Sequence, residues 1–183
     1  MPGTKVYLRE KIMRKNIFVP SKGEYVKGKR PAVDCILCSV VQNDPKVINL
    51  EIFRSKNFIV AVNLYPYNPG HLMIFPYQHI EEIEKLSLSE VKELHKLTMI
   101  SLKVLRNLYN PHGFNIGYNL GKGSGASIKH LHLQVVPRYE NELSFIDVLS
   151  CSKIIVEEPK DTVQRLKREY KKYAEELLDQ SNK

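Results

Sequence analysis

The chain has no apolar run long enough to span a bilayer, and its first fifteen residues are too charged for the apolar core of a signal peptide. Both absences point to a cytoplasmic protein without a membrane partner. Cysteine is scarce, at three residues in 183. That number, with two of them in Cys35-Ile36-Leu37-Cys38, suits a reducing compartment and argues against a disulfide framework. Acidic residues are outnumbered, giving a net charge of +8. A basic surplus favours polyanions such as nucleotides or nucleic acid, and equally serves solubility. The ordered Gly/Lys/Ser signature of a P-loop is also missing, so ATPase machinery of that type is not indicated.

What is present is ordinary globular composition, 43% hydrophobic and 26% charged, in a length that fits one domain with added tails. Residues 1–30 hold nine basic and two acidic residues and read as a basic arm, with a short helix at Lys5 to Phe18. Residues 31–158 form the body, and 159–183 a terminal helix in which Val163, Leu166, Tyr170, Tyr173 and Leu177 step by three and four. Within the body, Leu50 to Phe53, Phe58 to Val62, His71 to Pro76 and Gly113 to Asn119 read as antiparallel strands. Leu143 to Leu149 is a further apolar stretch, and Lys153 to Val156 a short strand. Ser87-Leu88-Ser89-Glu90 is a capping box. It opens a long helix carrying Val91, Leu94, Thr98, Leu102, Leu105 and Leu108, stopped at Asn110-Pro111, that covers one sheet face. His95 falls beside that stripe as a structural residue, and His112 lies in an exposed turn.

The most informative stretch runs from Ser127 to Arg138. Alternation in His130-Leu131-His132-Leu133-Gln134 predicts a β-strand with two imidazoles and an amide on one face and leucines on the other. Before it lies a loop in which Gly121, Gly123 and Gly125 alternate with Lys122 and Ser124. Such a loop lets backbone N–H groups approach phosphate oxygens, beside an imidazole able to act as a nucleophile. Cys35 and Cys38 have the spacing of half a zinc site, and His79 is a candidate third ligand. Buried thiols or a redox dithiol are the alternatives.

His130-Leu131-His132-Leu133-Gln134-Val135-Val136 resembles the motif of the histidine triad (HIT) superfamily, with glutamine in place of the third histidine. Val62 to His71 resembles the Asn/Asp-x-x-Pro-x-x-x-Gly-His segment of that family, and Asn119 and Ser127 fall at its phosphate positions. The likeness covers about Cys35 to Val156. It implies an α+β fold: a half-barrel antiparallel sheet with a long helix packed on it, paired as a homodimer.

By the same resemblance the ligands of a closed, structural zinc site are Cys35, Cys38, His79 and His130. His132 is the nucleophile that forms a nucleotidyl-histidine. Ser127, Gln134, Asn119, Lys122 and the loop at Gly125 and Ala126 hold phosphate, and Asn63 meets the ribose.

The glutamine variant resembles the branch of nucleotidyltransferases that includes galactose-1-phosphate uridylyltransferase, and most of all the short diadenosine tetraphosphate phosphorylases. An amide donates to a phosphate oxygen but does not transfer a proton at neutral pH. The implied reaction is cleavage of diadenosine tetraphosphate by inorganic phosphate to ATP and ADP. The alternatives are a dinucleoside polyphosphate or nucleoside phosphoramidate hydrolase, and a sugar-phosphate nucleotidyltransferase, whose long members need two half-domains. A non-enzymatic nucleotide or nucleic-acid binding protein is a further class. His132 argues against it, because binding alone requires no nucleophile there.

Overall fold

The computed structural model describes residues 31–140 and 159–179. The basic arm with its helix at Lys5 to Phe18, the stretch Leu143 to Leu149, Cys151 and the strand at Lys153 to Val156 lie outside the described residues. Chain order is α1 (Ile36–Val41), β1 (Glu51–Arg54), β2 (Phe58–Val62), β3 (Leu72–Pro76), α2 (Leu88–Tyr109), β4 (Gly113–Tyr118), β5 (Leu133–Arg138) and α3 (Pro159–Asp179). The strands make one antiparallel sheet in the order β1-β2-β3-β5-β4. The fold is α+β. Among the described residues no helix is long and apolar enough to cross a membrane.

Both faces of the central strands are covered. On one face Phe58, Val60 and Val62 of β2, Leu72 and Ile74 of β3, and Leu133 and Val135 of β5 pack against α2 and α3. On the other, Ile59, Ala61, Met73 and Phe75 pack under Leu37 and Val40 of α1. Period-two alternation thus divides β2 and β3 between two apolar layers rather than between core and solvent.

Helix α2 starts at the expected capping box. Glu90 N–H donates to Ser87 Oγ at 3.3 Å, and Ser87 N–H donates to Glu90 Oε2 at 2.8 Å. It ends where Asn110 turns left-handed, at φ 45°. Its buried row keeps Leu94, Thr98 and Leu105 of the predicted one, with Leu102 and Leu108 half-buried against the core, and differs elsewhere. Leu94, Leu97, Ser101 and Val104 face the core, whereas Val91 and His95 are exposed, so His95 has no place in the packing. Ser101 joins this row and the predicted Thr98 stays in it because their hydroxyls donate to the Leu97 and Leu94 carbonyls, each at 2.8 Å, which satisfies them without water.

The strand predicted from the alternation at His130 begins only at Leu133. Its register with β3 covers Leu72 to Ile74 and stops. Pro76 has no N–H for a ladder, and its carbonyl is taken by the His130 imidazole, Nε2 to O 3.0 Å. Leu131 N–H donates instead to the Ile80 carbonyl, 2.7 Å away, which holds the approach to β5 against the segment following β3.

Candidate active site and metal centre

A cavity of about 380 Å³ opens on the α1 side of the sheet. Its apolar wall includes Ile36, Leu37 and Val40 of α1, Val47 and Ile48 before β1, and Ala61, Met73 and Phe75 of the sheet. Its polar wall is formed by Asn63, Asn119, Ser127, His132 and Gln134, with Gly125 beside them. The fold therefore collects residues from Asn63 to Gln134 on one concave surface. Lys122 and Ala126 are not part of that wall. Lys122 sits on an exposed 3₁₀ turn, Lys122–Ser124, between Gly121 and Gly125, both at positive φ.

His132 is 8% exposed and has a defined tautomer. Its Nδ1 lies 2.9 Å from the His130 carbonyl oxygen. A carbonyl only accepts, so Nδ1 carries the proton and Nε2 of the neutral ring keeps its lone pair. Gln134 follows on β5, opposite Met73, and reaches the same cavity.

Asn63 is set by the loop between β2 and β3. Its Oδ1 accepts from Tyr65 N–H at 2.9 Å, and its own N–H donates to the His71 carbonyl at 2.9 Å. His71 is fully buried, accepts from Tyr67 N–H at its Nδ1 (3.1 Å), and stacks on the Tyr67 ring at 5.1 Å. Gly70 permits this turn. Its φ is +77°, and a Cβ there would lie 3.0 Å from Leu105 Cδ2.

The four residues Cys35, Cys38, His79 and His130 converge beside this cavity, their ligand atoms all within 4.8 Å of one another. Cys35 is the N-cap of α1, and its Sγ accepts from Cys38 N–H at 3.5 Å, the turn that brings the thiols together. Cys35 Sγ and Cys38 Sγ lie 3.6 and 3.5 Å from His130 Nδ1, and Cys38 Sγ lies 3.3 Å from His79 Nδ1. Tetrahedral zinc with ordinary Zn–S and Zn–N bonds places such donors about 3.5 Å apart. The donors fit.

The tautomer of His130 agrees with that fit. Its Nε2–H donates to the Pro76 carbonyl, leaving the Nδ1 lone pair facing the thiols. Burial lowers the His130 pKa to about 4, keeping the ring neutral as a ligand must be. Burial, with the Cys35 side chain next, raises the Cys38 thiol to about 11, so a thiolate there needs a cation. These four residues could hold a metal ion in a closed site. His130 thus leaves the row of three predicted for one strand face: it serves the cluster, while His132 and Gln134 serve the cavity.

Sequence reasoning missed the apolar wall. Ile36, Leu37 and Val40 lie within and just beyond the Cys-x-x-Cys segment but draw no attention as ordinary aliphatics. Lys46, Tyr65 and Tyr67, which also line the cavity, carry no motif signal.

Comparison with known proteins agrees with this architecture. The chain is 43% identical over 122 residues to a protein named AP-4-A phosphorylase from Mycobacterium tuberculosis, covering 66% of this chain and 63% of the relative. It thus spans under two thirds of the length of that relative. A bis(5'-nucleosyl)-tetraphosphatase [asymmetrical] of Schizosaccharomyces pombe is 27% identical over 97 residues, 53% of each chain. A zinc-bound histidine triad family protein of Mycobacterium smegmatis superposes with a TM-score of 0.63 at 22% identity, covering 78% of this chain and 96% of that one. A hypothetical histidine triad nucleotide-binding protein of Sulfolobus tokodaii gives 0.62 at 19% identity, covering 75% and 93%. Both show a shared fold. The HIT domain model matches residues 44–141, and the chain belongs to the HIT domain family.

Proposed function

We propose that the protein is a nucleotidyltransferase that cleaves diadenosine tetraphosphate with inorganic phosphate, giving ATP and ADP. The observation that carries this reading is His132, with Nδ1–H held by the His130 carbonyl and Nε2 free to attack, on a cavity that also presents Gln134, Ser127 and Asn119. The 43% identity to the mycobacterial protein named AP-4-A phosphorylase supports the choice of substrate.

His132 Nε2 forms a bond to the α-phosphorus, and the bond from that phosphorus to the bridging oxygen breaks. ATP departs with the electron pair, leaving an adenylyl group on the ring. An oxygen of inorganic phosphate then attacks the same phosphorus, the P–N bond breaks, and ADP leaves with Nε2 neutral again. Ser127, Gln134 and Asn119 donate to the phosphoryl oxygens as charge develops, and Asn63 binds the ribose. The apolar wall under α1 takes the adenine. Gln134 supplies no proton, which suits a polyphosphate that departs as a stable anion.

Cys35, Cys38, His79 and His130 hold a structural zinc ion in this reading. Their spacing and the His130 tautomer support it, as does the zinc-bound mycobacterial fold relative. Two copies pair along β4, one of the two edge strands of the described sheet, where Ile116 is 45% exposed.

Incubation with diadenosine tetraphosphate, with and without phosphate, tests the reaction. Phosphate is expected to accelerate turnover and labelled phosphate to appear in ADP, with His132→Ala inactive. Turnover that ignores phosphate and releases AMP overturns phosphorolysis in favour of hydrolysis.

A further inference from the structure

Helix α1 takes part in two sites at once. Cys35 at its N-cap and Cys38 in its first turn belong to the four-donor cluster, whereas Ile36, Leu37 and Val40 line the cavity. His130 is a second bridge between them. Its imidazole faces the thiols, and its carbonyl accepts the His132 Nδ1 proton.

We propose that metal and nucleotide binding are positively coupled through α1 and His130: each raises the affinity of the chain for the other. The inference rests on the nucleotide reading of the cavity and adds to it a regulation by metal.

The physical reason is that both ligands need the same parts immobilised. Helix α1 spans six residues, too few to hold its shape unaided. Among the described contacts, an apolar layer and the Arg54 side chain, donating to the Val40 and Val41 carbonyls, secure its body. Its N-terminal end meets the segments around His79 and His130 through S···N contacts of 3.3–3.6 Å. A cation accepted by these donors ties that end to His79 and to His130, the latter more than ninety positions away. The cavity wall and the carbonyl that orients His132 are then fixed relative to each other. A nucleotide entering the cavity must order the same wall and the same imidazole. Ordering done for one ligand is not repeated for the other, and that saving is reciprocal. His79 is exposed, so the cluster reaches the surface where metal exchanges without global unfolding.

The test uses the full chain, zinc and AMP. Calorimetry compares AMP binding by zinc-loaded and chelator-stripped protein, and a chromogenic chelator reads zinc affinity with and without saturating AMP. The expected result is AMP affinity on the order of tenfold higher in the zinc-loaded form, and zinc affinity raised by the same factor with AMP. Equal AMP affinity in two folded forms overturns the coupling and leaves the nucleotide reading intact. No AMP binding by the zinc-loaded form overturns both. Should stripping unfold the chain, zinc affinity in the loaded protein decides, and a value indifferent to AMP overturns the coupling. His79→Ala, outside the cavity wall, is expected to weaken AMP binding at limiting zinc and to recover in excess zinc. Weakened binding that zinc does not restore counts against the proposal.

Discussion

Two imidazoles separated by one leucine carry opposite tautomers, because each meets a backbone carbonyl with a different nitrogen. His130 donates from Nε2 to Pro76 and keeps Nδ1 for the thiols, while His132 donates from Nδ1 and keeps Nε2 for the cavity. Chemistry at Gln134 should decide the acceptor. Gln134→His places a proton-transferring group beside the phosphorus, and the ratio of AMP to ADP formed at fixed phosphate is expected to rise. Acid should act through His130. Its folded pKa, near 4, lies below that of an unfolded imidazole, so the unfolded state binds the proton first. In metal-free protein the neutral ring costs nothing above about pH 6.5, and stability falls as pH drops from there towards 4. The loss is about 3 kcal/mol, measurable as the change in urea unfolding free energy between pH 7 and 4, after subtraction of the same change in His130→Asn.

The elements differ in how openly their sequences declare them. Helix α2 was legible at both ends, from Ser87 and Glu90 at its start to Asn110 at its stop, because caps are local chemistry. Its buried row was less so: Thr98 was in the predicted row, but Ser101 looks polar until its hydroxyl finds the Leu97 carbonyl. Strand β5 was legible in its alternation but not in its start, because the ladder ends where β3 reaches Pro76, a residue distant in sequence. The loop between β2 and β3 offers a direct test. Gly70→Ala forces a side chain into positive φ against Leu105 and is expected to cost about 1–2 kcal/mol in chemical denaturation. Weaker nucleotide binding should accompany it, since the loop carries Asn63.

At the scale of the whole molecule, the sheet separates stability from chemistry. Helices α2 and α3 bury one face, with Tyr170 fully enclosed and donating to the Leu97 carbonyl at 2.9 Å. The other face holds α1, the cavity and the four-donor cluster. Light scattering is expected to give twice the mass of the 21.2 kDa chain, and Ile116→Arg, on the exposed edge strand β4, should shift that mass towards one copy. A wild-type mass of one chain would remove the pairing.

Residue chemistry and spacing singled out Cys35, Cys38, His79, His130, His132 and Gln134 as candidates, because thiols, imidazoles and the alternation of a strand are readable without a fold, and the family resemblance implied their roles. They also located the capping box and the turn-rich loop carrying Asn63. Tertiary structure decided which nitrogen of each histidine is free, since that depends on carbonyls contributed by Pro76 and by His130 itself. It also decided that the aliphatic residues of α1 wall the cavity, because an apolar side chain gains a role only from what packs across from it.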